Sequence, residues 1–138
     1  MTSSGAPDIE SLQPDGWAAP RGYSHGVATS GRLVVLAGQV GWNPVTAAFE
    51  TDDFAAQVRQ ALTNVRVLLD AAGAQPAHLI RLTWYITSRE HYLAALKPIG
   101  ASYRELLGAY YPPMSVVIVS GLVEPRAQVE IEATAVIP

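Results

Sequence analysis

Residues 128–137 alternate without a break, and that alternation limits the folds open to this chain. Val129, Ile131, Ala133, Ala135 and Ile137 point one way, while Glu130, Glu132, Thr134 and Val136 point the other, because successive side chains on a strand face opposite sides. One face must therefore meet an apolar layer. The other carries two carboxylates whose α-carbons stand about 7 Å apart by the strand rise. That is too far to share a proton, so one can do chemistry while the other pairs with a base such as Arg81. The plain reading of the same face is a wetted sheet surface whose carboxylates pair with Arg81 or Lys97. Upstream, residues 114–119 are rich in Val and Ile, which suits a buried strand. Gly121 and Pro125 punctuate the connection between the two.

The rest of the chain supplies partners for these strands. Residues 22–29 and 33–38 predict a hairpin around Ser30-Gly31-Arg32, where glycine suits a tight turn. Gln39 to Pro44 then breaks into a loop, with Asn43-Pro44 as a turn signal. Phe54, Val58, Ala61, Leu62, Val65, Leu68 and Leu69 form one apolar stripe at helical spacing. Asp52 or Asp53 can cap its start, and Gly73 stands where a left-handed residue ends a helix. Gln57, Arg59, Gln60, Asn64, Arg66 and Asp70 make its polar face. Residues 79–87 predict a strand, with Ile80, Leu82, Trp84 and Ile86 on one face and Arg81, Thr83, Tyr85 and Thr87 on the other. Residues 88–108 predict a helix interrupted at Pro98, which lacks a donor and crowds the preceding turn.

The order is β-β-α-β-α-β-β. It implies an α+β domain, a mixed sheet with both helices on one face, over residues 21–138, preceded by an arm over residues 1–20 in which Trp17 is the one anchor. The other sheet face is left bare. Something must cover Tyr85 and Val136, and a second copy of the chain is the economical answer. The totals point the same way. Of 138 residues, 49% are hydrophobic and only 15% charged, against about a quarter charged in an ordinary soluble chain.

Composition also narrows the chemistry. The net charge is −3 with no basic stripe, so nucleic acid is a poor partner. The chain has no cysteine, which removes disulfides, thiol nucleophiles and thiolate metal sites. His25, His78 and His91 lie far apart without ligand spacing, so no metal is expected. No phosphate loop, dinucleotide fingerprint or nucleophile elbow occurs, and no cofactor is expected. The start of the chain has neither a basic region nor an apolar core, and no apolar run reaches the roughly 20 residues of a membrane span. A cytoplasmic protein is the expectation. The chemical residue that remains is the carboxylate pair, since a carboxylate in a partly apolar pocket can aim a water as general base.

Four stretches together resemble the RidA/YjgF family. They are Tyr23-Ser24-His25-Gly26-Val27, Leu36-Ala37-Gly38-Gln39-Val40-Gly41, the helix positions Gln57, Ala61-Leu62 and Asn64-Val65, and Val129-Glu130-Ile131-Glu132-Ala133. The resemblance runs from about Tyr23 to Val136. It implies a chorismate-mutase-like fold and a homotrimer whose three sheets form a central β-barrel, with small-molecule clefts between subunits. It further implies cofactor-free hydrolysis of reactive enamines and imines to keto compounds and ammonia. In that pattern Tyr23 and the backbone at Gly38 and Gln39 line the cleft, Glu130 matches the glutamate that positions water, and Trp42 and Glu132 are further candidates for contact with substrate. His25, beside Tyr23, is a candidate polar contact.

One departure matters most. Deaminating members read Pro-x-Arg-Ser before the fourth strand, and the arginine holds the substrate carboxylate. Here the stretch is Pro112-Pro113-Met114-Ser115, and a thioether makes the cleft greasier instead. Gly100 replaces a frequent asparagine, and the segment at 97–101 is about three residues longer than in most members. Three readings follow. The chain is an imine hydrolase for a bulkier or less acidic substrate, with Arg21 or Arg126 taking the carboxylate, and 2-aminomuconate-type deamination in aromatic breakdown is one such case. Alternatively it is a non-catalytic metabolite-binding trimer, a sensor or carrier. Or it is a chaperone-like scaffold.

Overall fold

The computed structural model describes residues 9–138; the first eight residues of the expected arm lie outside that range. The central element is β6 (Val129–Ile137), paired on one side with β3 (Arg32–Val40) and on the other with β4 (Leu79–Ile86), both antiparallel. The edge strand β5 (Met114–Ile118) runs parallel to β4, giving the order β3-β6-β4-β5. A mixed sheet covered on one face by helices is therefore the architecture. Val129, Ile131, Ala133 and Ala135 are all buried against α1 (Phe54–Ala71) and its neighbours. The period-two pattern of β6 alone decides which face is dry.

The expected hairpin between 22–29 and β3 does not form. Residues Val27–Ala28 make a short strand, β2, which pairs instead with β1 (Glu10–Ser11) from the arm. The cause lies just upstream. Ser24 is tied across the molecule to the entry of β5, its N–H donating to the Pro112 carbonyl at 3.2 Å and its hydroxyl to the Tyr111 carbonyl. Ser30-Gly31 then packs on the end of β6, and Gly31 is at φ 147°, where a Cβ would lie 2.1 Å from the Ile137 carbonyl oxygen. Trp17 does anchor the arm, meeting the His25 ring edge-on at 5.1 Å.

Two β-bulges refine the register. Between Leu36 and Gln39 the β3 strand carries one extra residue opposite β6, and between Leu79 and Arg81 the β4 strand does the same. The second bulge corrects the expected face of β4, since Leu79 is fully buried while Ile80 is only partly so.

Asp53 caps α1 by accepting from the Ala56 N–H at 2.9 Å. Two residues of the expected polar face, Gln57 and Asn64, are buried at 0% and 3% exposure. Each is fully used. Gln57 donates to the Thr51 and Arg126 carbonyls and accepts from the Gln128 N–H. Asn64 donates to the Val40 and Trp42 carbonyls. Buried amides satisfied in this way hold loops that no apolar contact would fix.

The interrupted helix breaks at Ala95, three residues before Pro98, into α2 (Arg89–Ala94) and α3 (Leu96–Leu107). Pro98 then falls in the first turn of α3, where its missing N–H would have had no helical partner.

Beyond α3 three tyrosines lock the chain to β4. Tyr103 stacks on Tyr111 at 5.0 Å and donates to the Tyr110 carbonyl at 2.8 Å, while Tyr110 donates to the Leu79 carbonyl at 2.6 Å. Burial first, then the neighbouring Tyr111 and Tyr110, holds the Tyr103 hydroxyl far above the usual tyrosine range. The folded state thus keeps a proton that the unfolded chain releases. The stability it confers is complete below about pH 10 and is lost as pH rises beyond that. Urea denaturation across alkaline pH, followed with tyrosinate absorbance, should show this loss. In Tyr103→Phe the slope should be shallower, and at neutral pH the variant should lose about 1 kcal/mol, since the Tyr110 carbonyl no longer has its donor.

Candidate functional site

The bare face of the sheet carries two groups of polar side chains, separated along β4. The first centres on the carboxylates of β6. Glu130 lies opposite Tyr85 and Glu132 opposite Thr83. Glu132 accepts from the Tyr85 hydroxyl at 2.7 Å, which raises the Tyr85 pKa. It is not paired with Arg81, nor is Glu130 paired with Arg81 or Lys97: the ion pairs among the described residues are Arg59–Glu105, Arg66–Asp70 and Arg126–Asp52. The Glu130 side chain lies over the β3 bulge. A Cβ at Gly38 would come within 2.4 Å of its Oε2 and 2.8 Å of its Cγ. Gly38 is thus the floor on which Glu130 rests, and Gln39 braces that floor by donating to the Ala37 carbonyl at 3.1 Å. A carboxylate supported from below, half-buried and free of an ion pair can accept a proton from a water above it.

The second group lies at the other end of the same face. Tyr23, Ser24, His25, Arg81, Met114 and Ser115 surround a cavity of about 160 Å³. Tyr23 meets His25 edge-on at 5.5 Å, and His25 donates from Nε2 to the Ala18 carbonyl at 3.0 Å. Beside it a cavity of about 290 Å³ runs under the arm, between Leu12, Gly26, Ile80 and Thr134, and shares Arg81 and His25 with the first. From Arg81 to Tyr85, opposite Glu130, is about 13 Å by the rise of a strand.

The structure thus brings together Tyr23 and Met114, and separately Glu130, Glu132 and Gly38 with Gln39. It does not bring the two sets together within one chain. Trp42 belongs to neither, since it leans on Phe49 at 5.9 Å in the loop before α1. Arg126 is committed to Asp52 and to the Phe49 carbonyl, and Arg21 lines neither cavity. A hollow of about 420 Å³ at the start of α1, beside His91 and Pro98, holds none of the expected residues. No three His, Asp or Glu side chains gather as metal ligands among the described residues. Sequence reasoning missed Arg81 and Ser24 as cavity residues. Period two already puts Arg81 on the face of Tyr85; what leaves no mark in the sequence is the cavity itself, which forms only when residues 23–25 and the entry of β5 fold against that end of β4.

Known proteins resemble this chain in sequence and in fold. The sequence model of the family described as Endoribonuclease L-PSP matches residues 15–137. The 2-iminobutanoate/2-iminopropanoate deaminase of Escherichia coli K12 is 32% identical over 106 residues, 77% of this chain and 80% of that one. The chain belongs to the RidA/YjgF family. Among solved structures, a Rid-family protein of unknown function from Yersinia pestis is similar with a TM-score of 0.80 and 35% identity, covering 94% of this chain and 99% of that one. TdcF of E. coli, solved with bound serine, is similar with a TM-score of 0.66 and 31% identity, covering 94% and 98%. The fold expected for a RidA/YjgF member is the fold observed, with helices layered on one face of the mixed sheet.

The contact of Gly38 with Glu130 gives a direct check on the geometry of this RidA/YjgF member. Gly38→Ala should cost about 1–3 kcal/mol by pressing the new methyl into the Glu130 side chain. In a Glu130→Ala background, where Cγ and the carboxylate are gone, the same substitution should cost less by at least about 1 kcal/mol. A double-mutant cycle in urea measures the difference; equal costs in the two backgrounds would place Glu130 elsewhere.

Proposed function

We propose that this chain hydrolyses reactive imines and enamines to keto compounds and ammonia, as a cytoplasmic homotrimer with its site between subunits. The observation that carries this is Glu130, held half-buried over the Gly38 bulge on the face turned away from the helices. Two relatives support the class of substrate: a deaminase of short 2-imino acids, and a structure with a bound amino acid. The separation of Glu130 from the Tyr23 cavity supports the assembly, since a second copy would bring the Glu130 of one chain to the Tyr23 end of another.

The chemistry asks little of the protein. Water adds to the C=N carbon as Glu130 takes one of its protons, the nitrogen is protonated, and the C–N bond then breaks to release ammonia and leave C=O. Tyr23 and the backbone at Gly38 and Gln39 border the reacting atoms. Met114 gives the cleft an apolar wall where the family resemblance implies a cation, and this supports a substrate larger and greasier than a three- or four-carbon imino acid. The same replacement supports a second reading, in which the cleft binds such a metabolite without turning it over. RNA cleavage, the activity in the family's description, is disfavoured by a net charge of −3.

An amino-acid oxidase that makes imines in place, with semicarbazide competing for them, tests the proposal. The purified protein should divert imines from semicarbazone to free keto acid, more strongly for branched or aromatic imines than for the alanine-derived one. Glu130→Gln should lower the rate by about 10²–10⁴-fold. Failure to accelerate hydrolysis of any imine would reject turnover and leave the binding reading.

A further inference from the structure

We infer that Arg81 anchors the carboxylate of the ligand, and that the cavity under the arm takes the ligand's apolar side chain. The assignment rests on the proposed function only in treating the ligand as a 2-imino or 2-keto acid.

Arg81 and Met114 sit one step apart across the β4–β5 ladder, since Leu82 is the register partner of Met114. A guanidinium on β4 therefore reaches the space beside the β5 entry from the neighbouring strand. It is available. Arg81 is exposed, makes no ion pair and donates to no carbonyl among the described residues, whereas Arg126, Arg59, Arg66 and Arg32 are each committed. The nearest carboxylates on the same face are further along β6, and Glu132 there is occupied by Tyr85. The planar fork of a guanidinium matches a carboxylate with two parallel hydrogen bonds. Tyr23 and Ser115 border the same cavity.

The two cavities meet at Arg81, His25 and Pro113. A ligand held at Arg81 is thus at the mouth of the larger one, whose walls are Leu12, Val27, Ile80 and Pro113. Its roof is local to this chain. Leu12 lies over Gly26, where an added Cβ would meet Leu12 Cδ1 at 3.1 Å, and the Leu12 N–H donates to the Gly26 carbonyl at 2.8 Å. A charged head at Arg81 and an apolar tail beneath Leu12 describe a branched-chain 2-keto acid or its imine.

Isothermal titration with the intact protein tests this without requiring turnover. The probes are 4-methyl-2-oxopentanoate, pyruvate, and 4-methylpentan-2-one, which keeps the tail but lacks the carboxylate. Wild type should bind the branched keto acid about tenfold tighter than pyruvate, from the extra apolar carbons buried. Arg81→Gln should weaken both keto acids about tenfold or more and leave the ketone unchanged, with Arg81→Lys intermediate. Leu12→Ala should reduce the preference for the branched acid while leaving pyruvate unmoved. Thermal unfolding of Arg81→Gln should stay close to wild type, because the side chain makes no ion pair within its own chain, and sedimentation should give the wild-type particle. Keto-acid affinity within about twofold of wild type in Arg81→Gln, or no binding of any keto acid, would overturn the inference. Arg81-dependent binding without imine hydrolysis would reject turnover and keep the anchor. Hydrolysis with Arg81-independent affinity would do the reverse.

Discussion

The pairing of β6 with β3 on one side and β4 on the other is the constraint on which the molecule depends. It places Val129, Ile131, Ala133 and Ala135 against the helices and, by the same alternation, Glu130, Glu132 and Thr134 on the opposite face. Stability and chemistry are thereby carried on one strand but kept apart. The apolar side can be packed to native density without touching the carboxylates. The other side is covered by its own chain only in part, at Val136 and Thr83 and under the arm beside Thr134, and Glu130 and Glu132 stay half-buried there.

That bare face is not uniformly polar. Leu33 and Val35 on β3 are 62% and 69% exposed, and Val117 on β5 is also open. Apolar side chains flanking a row of Thr, Tyr and Glu support the proposed assembly, in which a further copy covers them. The two groups of candidate residues fit the same idea, because the Glu130 end and the Tyr23 end lie too far apart to act on one small molecule within a single chain. Between them, the amides of Gln57 and Asn64 hold the loops at the end of β3 and the start of β6. They fix the frame of the site without taking part in it.

Much of this was legible in the sequence wherever periodicity carried it. The α1 stripe and the alternation of β6 follow from spacing, and Pro98 signals the helix interruption, though the break falls three residues earlier, at Ala95. Glu130 and Glu132 on one face follow from period two alone. The misses share a cause: they depend on one inserted residue or on a contact distant in the chain. Ile80 is a bulge residue, so its face cannot be read from its neighbours. Gln57 looks like a solvent-facing amide until Thr51, Arg126 and Gln128 are folded around it, and Asn64 until Val40 and Trp42 are. The 22–29 segment has the turn of a hairpin, but Ser24 finds Tyr111 and Pro112 first. Arg81 was read as a partner for Glu132; Tyr85 takes that carboxylate, and the arginine turns to the cavity instead.

The central claim is that the Glu130 face is completed by further copies of this chain. Sedimentation equilibrium across a wide range of protein concentration tests it most directly. The account predicts a particle of three times the 14.7 kDa chain mass. It also predicts that Val35→Glu together with Leu33→Lys, on the bare face, dissociates it. A wild-type protein that sediments as a single 14.7 kDa chain at all concentrations would contradict the account.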